Sequence, residues 1–295
     1  MTISEIFSAI AISGLVGTMF TMGLTLTLDN FKAIVRTPIG LSVGLFGQLI
    51  LLPATAVALS LALGLSPAIA IGLLIIAACP GGATSNSFSY IAGGDLALSV
   101  ALTAISSMVA FITIPLVIGF GLEILDPRQT RIELPLASTS LQVFTTTALP
   151  VMAGMVFRKF QPEIAAKITS PIFWISFAAI IVPFAALIMG LQSGIGDLTL
   201  SAMSGALLSV LMLLLGYAIA WLARLGREQQ IAVTLEVGMQ NFGLVVVIVP
   251  QILKEPFYLA PGVSYLASAL LCGATLAFLL RRFGPGTQIA GLANQ

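Results

Sequence analysis

Long apolar segments alternate with short polar connectors along the whole chain. A transmembrane helix needs about 20 mainly apolar residues, and no connector is long enough to form a soluble domain. The pattern therefore predicts an all-α integral membrane protein with nine transmembrane helices, at 3–28, 37–62, 66–92, 95–123, 134–157, 170–192, 199–224, 228–253 and 261–282. Glu5 stands where a signal peptide would carry lysines, so we expect the first segment to be a retained helix.

Composition excludes a soluble protein. Hydrophobic residues make up 58% of the 295 positions and charged residues 8%, and the mean hydropathy is +1.11, whereas soluble domains carry about 25% charged residues. A net charge of +1 argues against a nucleic-acid partner. The chain has no His, the commonest metal ligand and general base. We interpret Cys79 and Cys272 as small buried thiols.

The distribution of Lys and Arg predicts the orientation, because cytoplasmic connectors carry an excess of both. With the N-terminus outside and the C-terminus in the cytoplasm, nine cations fall on the cytoplasmic side: Lys32, Arg36, Arg158, Lys159, Lys167, Arg224, Arg227, Arg281 and Arg282. Three fall outside: Arg128, Arg131 and Lys254. We therefore expect a multi-pass membrane protein with residues 284–295 as a cytoplasmic tail.

Two of the nine predicted helices are interrupted by polar and small residues. The third contains PGGATSNSFSYIAGG and the eighth contains EVGMQNFG, and each places an Asn, Asn86 or Asn241, at the interruption. The preceding segments PAIAIGLL and QQIAVTLE also match loosely. Helices one to four and six to nine are therefore interpreted as two inverted copies of one unit, an arrangement typical of secondary transporters.

Glu236 is the one acidic residue predicted to lie within the membrane away from a helix end. An ionisable group there costs several kcal/mol and marks a functional site by default. The alternative is a protonated carboxyl that is hydrogen-bonded to a neighbouring carbonyl.

Hard oxygen ligands accompany Glu236 at the two breaks. Unwound carbonyls and helix C-termini attract cations, and helix N-termini attract anions. The candidate side chains are Ser85 and Asn86 at the first break, Ser99, Thr103 and Ser106 on one face of the next helix, Gln240 one turn after Glu236, and Gln48. A single carboxylate among neutral oxygens favours Na⁺ over a divalent ion. Each hydroxyl or amide taken alone is equally compatible with simple bonding between helices.

The motifs CPGGATSNSFSYIAGGDLALSVALT and TLEVGMQNFGLVVV resemble the bile acid:sodium symporter family, and the similarity extends over roughly residues 10–282. The resemblance, which includes bacterial members of the family, implies a location in the bacterial inner (plasma) membrane. It also implies two broken helices that cross in a core domain, with a separate panel domain beside it. The implied boundaries are 1–36 (panel, first helix), 37–125 (core, first half), 130–193 (panel, second part), 197–283 (core, second half) and 284–295 (tail).

The same resemblance implies two sodium sites. One uses Ser85, Asn86, Ser99, Thr103 and Glu236. The other uses Gln48, Glu236, Gln240 and the backbone carbonyls of Val237 and Met239. The order Ala83-Thr84, and Ala269-Leu270 where some members carry His-Asn, depart from the family near the expected substrate region and leave the substrate open.

The function expected from these features is Na⁺-coupled symport of a small organic anion by alternating access, with Thr84 and Asn241 as substrate contacts. The alternative is a carrier of the same fold that is driven by H⁺ or uncoupled, with Glu236 as proton carrier. An enzyme is not expected, because no nucleophile–base pair is visible. Membrane lipid is the only other partner expected, with no obligatory protein partner.

Overall fold

The computed structural model describes residues 3–27, 38–126, 136–189, 195–248 and 259–283, and these residues are almost entirely helical. We number the helices in chain order: α1 (Ile3–Thr25), α2 (Pro38–Ala62), α3 (Pro67–Ala78), α4 (Ala83–Ile91), α5 (Leu96–Leu125), α6 (Leu136–Val143, continuing through Phe144–Ala148 to Leu149–Phe160), α7 (Pro162–Met189), α8 (Ile195–Leu222), α9 (Arg227–Gly238), α10 (Phe242–Ile248) and α11 (Ala260–Phe283).

The prediction of an all-α chain is confirmed. Within the described ranges, seven helices are long and apolar enough to cross a membrane, namely α1, α2, α5, α6, α7, α8 and α11. The predicted segments 66–92 and 228–253 are instead pairs of shorter helices, α3 with α4 and α9 with α10. Helix α7 begins at Pro162, eight positions before the predicted start at 170, because Pro is well suited to the first turn of a helix.

The orientation rests largely on residues outside the part of the chain that the structure describes. Lys32, Arg36, Arg128, Arg131, Lys254 and the tail 284–295 all lie there. The assignment of the N-terminus to the outside therefore stays a prediction.

The helix pairs α3–α4 and α9–α10 are interrupted by short extended segments that pair with each other. Helix α3 ends because Pro80 offers no backbone N–H and the residue before it, Cys79, is extended. Gly81 and Gln240 form an antiparallel β-bridge, and the amide N of Asn241 donates to the carbonyl O of Pro80 at 2.8 Å. Each break thus satisfies backbone groups of the other, as non-helical backbone inside a membrane protein must.

Two long helices contain a widened π turn, Gly47–Leu51 in α2 and Phe144–Ala148 in α6. Both turns are followed directly by a Leu-Pro pair, Leu52-Pro53 and Leu149-Pro150. A proline ring collides with the carbonyl four residues earlier in a regular helix, and the wider turn moves that carbonyl away. The π turn in α2 contains Gln48 and so sets the direction of this side chain.

One helix hairpin occurs twice, 160 residues apart. Helices α3 and α9 both have 12 residues, and each follows a four-residue turn, 63–66 or 223–226. The turn contains a residue with positive φ at the same place, Gly64 (59°) and Arg224 (55°). Three backbone hydrogen bonds in the first turn also recur in the second turn, each shifted by 160 residues. In the first turn they run from Leu63 N to Leu59 O, from Gly64 N to Leu61 O and from Leu65 N to Ser60 O. In the second they run from Ala223 N to Ile219 O, from Arg224 N to Trp221 O and from Leu225 N to Ala220 O.

The two 12-residue helices form the centre of the protein. All residues from Ile69 to Ala78 in α3 and from Ile231 to Gly238 in α9 are buried. Helix α8 packs against α9 and α11, α5 packs against α3, and α1 packs against α6 and α7. The ends of α3 and α9, where the chain breaks, are therefore enclosed by longer helices.

Replacing Gly64 with Ala is expected to lower the free energy of unfolding by about 1 kcal/mol, because the left-handed conformation costs an L-residue roughly that much. No atom lies within 4 Å of the added methyl group, so the effect comes from the backbone alone. The measurement is the thermal melting temperature in detergent. The control is Gly226→Ser: Gly226 has φ −61° and ψ 157°, and the equivalent Ser66 has φ −61° and ψ 149°. An equal loss in both variants would contradict the prediction.

Candidate functional site

The carboxylate of Glu236 lies fully buried near the end of α9, beside the crossing of the two breaks. Its oxygens accept hydrogen bonds from the hydroxyl of Thr103, from Ser99 Oγ at 3.1 Å and from Gln48 Nε2 at 3.4 Å, and the hydroxyl of Ser85 also contacts it. All of these partners are neutral. A buried carboxylate without a compensating charge is costly, so the site favours binding of a cation or a proton.

Around Ser99 and Thr103, there are more oxygen atoms that can accept a hydrogen bond than hydroxyl protons to donate. Asn86 Oδ1 lies 2.7 Å from Ser99 Oγ and 3.2 Å from Thr103 Oγ1, and both hydroxyls also contact Glu236. Each hydroxyl has one proton to donate and therefore cannot serve both acceptors at once. This excess of oxygen acceptors is the donor set that a hard cation prefers.

Two glutamine side chains bracket the last carbonyls of α9. Gln48 Nε2 donates to the carbonyl O of Glu236 at 2.9 Å, and Gln240 Nε2 donates to the carbonyl O of Val237 at 3.0 Å. Among the residues that the structure describes, the Oε1 atoms of both glutamines have no hydrogen-bond partner although they are buried, which is costly for an amide oxygen. The residues present therefore fit a second cation position. Among the described residues, no three Cys, Asp or Glu side chains come together, so an acid-rich site for a divalent ion is not formed there.

Gly81 allows the carboxylate to approach the first break. A Cβ atom at this position would overlap Glu236 Oε1 and would lie 2.8 Å from Gln48 Nε2. The sequence indicates that the glycines unwind the helix, and the structure adds this close contact. No sequence signal distinguishes Gly81 from Gly82 in this respect.

Tyr265 helps to hold the site in place and was not among the residues predicted from the sequence. Its hydroxyl donates to the carbonyl O of Gly238 at 3.0 Å, and the side chain is almost fully buried. The bond ties α11 to the C-terminal end of α9. A Tyr within an apolar segment was the available signal, because a buried Tyr hydroxyl usually needs a hydrogen-bond partner.

Thr84 and Asn241 both lie close to Gly82. A Cβ atom built on Gly82 would lie 3.6 Å from Thr84 Oγ1 and 3.4 Å from Asn241 Cα. Asn241 Nδ2 also contacts Met19 Sδ of α1 at 3.8 Å. The structure thus places these two predicted substrate contacts together, next to the oxygen cluster but without a hydrogen bond to Glu236 in the described region. Met239, the remaining predicted ligand, is buried with its backbone in the second break.

Comparisons with known proteins point to one family. The model of the sodium bile acid symporter family matches residues 12–198. An uncharacterised sodium-dependent transporter of Bacillus subtilis is 33% identical over 239 residues, covering 77% of this chain and 69% of that protein. A probable chloroplastic sodium/metabolite cotransporter of Arabidopsis thaliana is 33% identical over 282 residues, covering 93% and 67%. A probable chloroplastic sodium/metabolite cotransporter of rice is 28% identical over 270 residues, which cover 90% of this chain and 62% of that protein. The chain thus spans about two thirds of the length of these relatives.

Gly81→Ala is expected to lower the melting temperature clearly, because the new methyl group must displace either the Glu236 carboxylate or the Gln48 amide. Overpacking of this kind typically costs about 1–3 kcal/mol. The matched control is Gly82→Ala, since its nearest neighbour would lie at 3.4 Å. The two variants are compared by thermal unfolding of the purified protein. Equal stability of the two would show that the carboxylate does not depend on close contact with the backbone.

Proposed function

Because this chain belongs to the sodium bile acid symporter family, which comprises transporters and not enzymes, we propose that it is a membrane symporter that couples Na⁺ to the transport of a small organic anion. The observation that carries the proposal is the buried Glu236 carboxylate, which is held by neutral donors among surplus oxygen atoms. The names of the Bacillus and chloroplast relatives, which state sodium dependence or sodium/metabolite cotransport, support the choice of ion.

The first sodium ion binds among Ser85, Asn86, Ser99, Thr103 and Glu236. Ser99 and Thr103 lie one turn apart on α5, and Asn86 lies on α4. A cation at this position accepts lone pairs from the hydroxyl and amide oxygens and allows each hydroxyl to give its one proton elsewhere. It thereby joins α4, α5 and α9 across the first break.

The second sodium ion binds between the two glutamines. Its ligands are Gln48, Gln240, Glu236 and the carbonyls of Val237 and Met239. The unpartnered Oε1 atoms of Gln48 and Gln240 support this assignment, as does the concentration of carbonyls at the C-terminal end of α9. Pro53 contributes indirectly, because the π turn before it carries Gln48.

Charge explains why an anion accompanies the two ions. Two Na⁺ ions beside one carboxylate leave one uncompensated positive charge in a poorly hydrated place, which is unfavourable. A monoanionic substrate compensates this charge. Thr84 and Asn241, which lie beside the crossing, contact the substrate through their hydroxyl and amide groups. Coupling follows by linkage, because each ligand favours the state that the other stabilises.

Alternating access arises from two domains that move against each other. The core consists of residues 37–125 and 197–283, and the panel consists of residues 1–36 and 130–193. The duplicated hairpins α2–α3 and α8–α9 support inverted repeats within the core, and the packing of α1 against α6 and α7 supports a separate panel. Nine transmembrane segments result when each broken pair counts as one.

Sodium binding is tested by thermal unfolding in NaCl and in KCl at one pH and ionic strength. Na⁺ at 100 times its dissociation constant stabilises a protein by about 2.7 kcal/mol, so we expect the melting temperature to rise by several degrees in NaCl only. Glu236→Gln, which removes the negative charge, abolishes the rise. Glu228→Gln, an exposed position on the first turn of the same helix, retains it. A melting temperature that depends on pH but is the same in both salts would favour H⁺ coupling instead.

Substrate binding is tested with a set of small organic monoanions and their neutral amides, again by thermal shift with and without Na⁺. A substrate is expected to stabilise the protein in NaCl and to lose most of this effect in KCl. Thr84→Val, which keeps the side-chain shape, weakens the effect by about tenfold in affinity, as loss of one hydrogen bond to a charged group does. Stabilisation that is equal in both salts would contradict coupling through the sodium sites.

A further inference from the structure

Helix α11 is fitted to the second break along one of its faces. A Cβ atom added to Gly262 would lie 3.0 Å from the ring of Phe242, and one added to Gly273 would lie 3.0 Å from Met239 Sδ. Tyr265 lies between the two glycines on the same face, because positions three and eight residues apart point the same way on a helix. The glycines let α11 approach closely, and Tyr265 reaches the end of α9 with its hydroxyl.

The carbonyl groups at the C-terminal end of α9 have no partner within the helix. Three of them in succession accept a hydrogen bond from a side chain: Glu236 from Gln48, Val237 from Gln240, and Gly238 from Tyr265. The two glutamines are ligands of the second sodium ion in the function proposed above. The tyrosine is not a ligand, yet it continues the same series of bonds.

The hydroxyl of Tyr265 contacts two groups, the carbonyl of Gly238 and the side-chain amide of Gln240. A phenol has one proton to donate, and a carbonyl oxygen can only accept, so this proton goes to Gly238. The hydroxyl therefore offers Gln240 a lone pair, and only the NH₂ group of the amide can bind to it. Oε1 of Gln240 is consequently left without a hydrogen-bond partner among the described residues.

The orientation of the Gln240 amide decides whether this side chain can bind a cation. Its oxygen carries lone pairs, whereas its NH₂ group is a donor only. Turning the amide by 180° would exchange the two and place a donor where the proposed sodium ion needs an oxygen. The hydroxyl of Tyr265 opposes this turn, because it would then lose the donor that it now accepts from.

The burial of Tyr265 indicates that its hydroxyl has a role beyond packing. The side chain is almost fully buried, where a Phe would fill the same space without the cost of burying a polar group. Thr275, on the same helix, donates to the carbonyl O of Leu271 one turn earlier. Tyr265 instead donates to another helix, at the point where that helix ends.

We propose that Tyr265 is a positioning residue for the second sodium ion. Its hydroxyl holds the carbonyl of Gly238 and the amide of Gln240 in place. Oε1 of Gln240 thereby stays available to the cation, together with the carbonyls of Val237 and Met239. Tyr265 itself does not contact the ion.

This inference rests on the sodium symport proposed above and gives α11 a part in it. Helix α5 follows the first broken pair and supplies Ser99 and Thr103 directly to the first ion. Helix α11 follows the second broken pair and acts on the second ion through Gln240. A movement of α11 relative to α9 would therefore change the affinity for Na⁺ at the second position.

The experiment measures the melting temperature of the full-length protein at increasing NaCl, with KCl keeping the ionic strength constant and the pH fixed. The apparent dissociation constant for Na⁺ follows from this dependence. We expect Tyr265→Phe, which keeps the ring, to raise the constant about fivefold, as loss of one hydrogen bond does. Its melting transition in KCl alone shows whether the variant is folded.

The matched control is Ser268→Ala, on the next turn of α11. Ser268 Oγ contacts the carbonyl O of Ala206 on α8 at 3.4 Å, so this change also removes a bond between helices. It is expected to lower the melting temperature equally in both salts and to leave the dissociation constant unchanged. Ser268 also contacts Cys272, which is partly exposed, so the expectation that both thiols are buried is correct for Cys79 only.

A second comparison separates an effect on the second ion from a general loosening of the core. Gln240→Met removes the amide through which Tyr265 acts, so adding Tyr265→Phe to it should not change the dissociation constant further. Adding Tyr265→Phe to Thr103→Val, at the first site, should still raise the constant about fivefold. Binding of radioactive sodium to the purified variants checks both results without unfolding the protein.

Two outcomes would overturn the inference. One is a dissociation constant that is the same in Tyr265→Phe and in the unaltered protein. The other is a further rise when Tyr265→Phe is added to Gln240→Met. Both leave the proposed symport intact, because the unaltered protein still responds to Na⁺. If it does not respond to Na⁺ at all, the proposed function is contradicted and the role of Tyr265 with it.

Discussion

The burial of one carboxylate determines how the centre of this protein is built. Glu236 is fully buried, and no cationic side chain in the described part of the chain neutralises it. Donors therefore converge on it from Gln48 of α2 and from Ser99 and Thr103 of α5. These donors bring their own oxygen atoms with them, and the oxygens exceed the protons available. The same contacts that make burial tolerable thus create a cluster that favours a cation, so that the stability of the core and the Na⁺ site that we propose have a common origin.

The backbone at the crossing has a related requirement. Each break exposes amide and carbonyl groups at a depth where water does not satisfy them. The bridge between Gly81 and Gln240 and the bond from Asn241 to Pro80 satisfy part of this requirement. Close approach then requires a glycine, and Gly81 is the position where any side chain would meet the carboxylate. Backbone pairing and the position of the carboxylate are therefore coupled.

The two hairpins have the same backbone but different side chains. Their turns, lengths and backbone hydrogen bonds correspond closely, yet their sequences differ in polarity. Helix α3 is apolar along its length and is packed on every side. Helix α9 carries the carboxylate near its end and polar side chains along its outer face, where it lines an open cavity between α8 and α11.

The family resemblance implied which oxygen-bearing residues accompany Glu236. The sequence by itself determined that the chain is helical and membrane-spanning and where two of its helices break. It did so because apolar length, Gly and Pro at the breaks, and an isolated acid are local features. Other properties depend on residues far apart in the chain, and only the tertiary structure decided them. These include the hydrogen bond from Gln48 to Glu236, the hydroxyl of Tyr265 on Gly238, and the contact between Gly81 and the carboxylate. The open cavity behind α9 belongs with them, because it arises from how α11 packs on α8, and no local pattern of residues specifies the space between three helices.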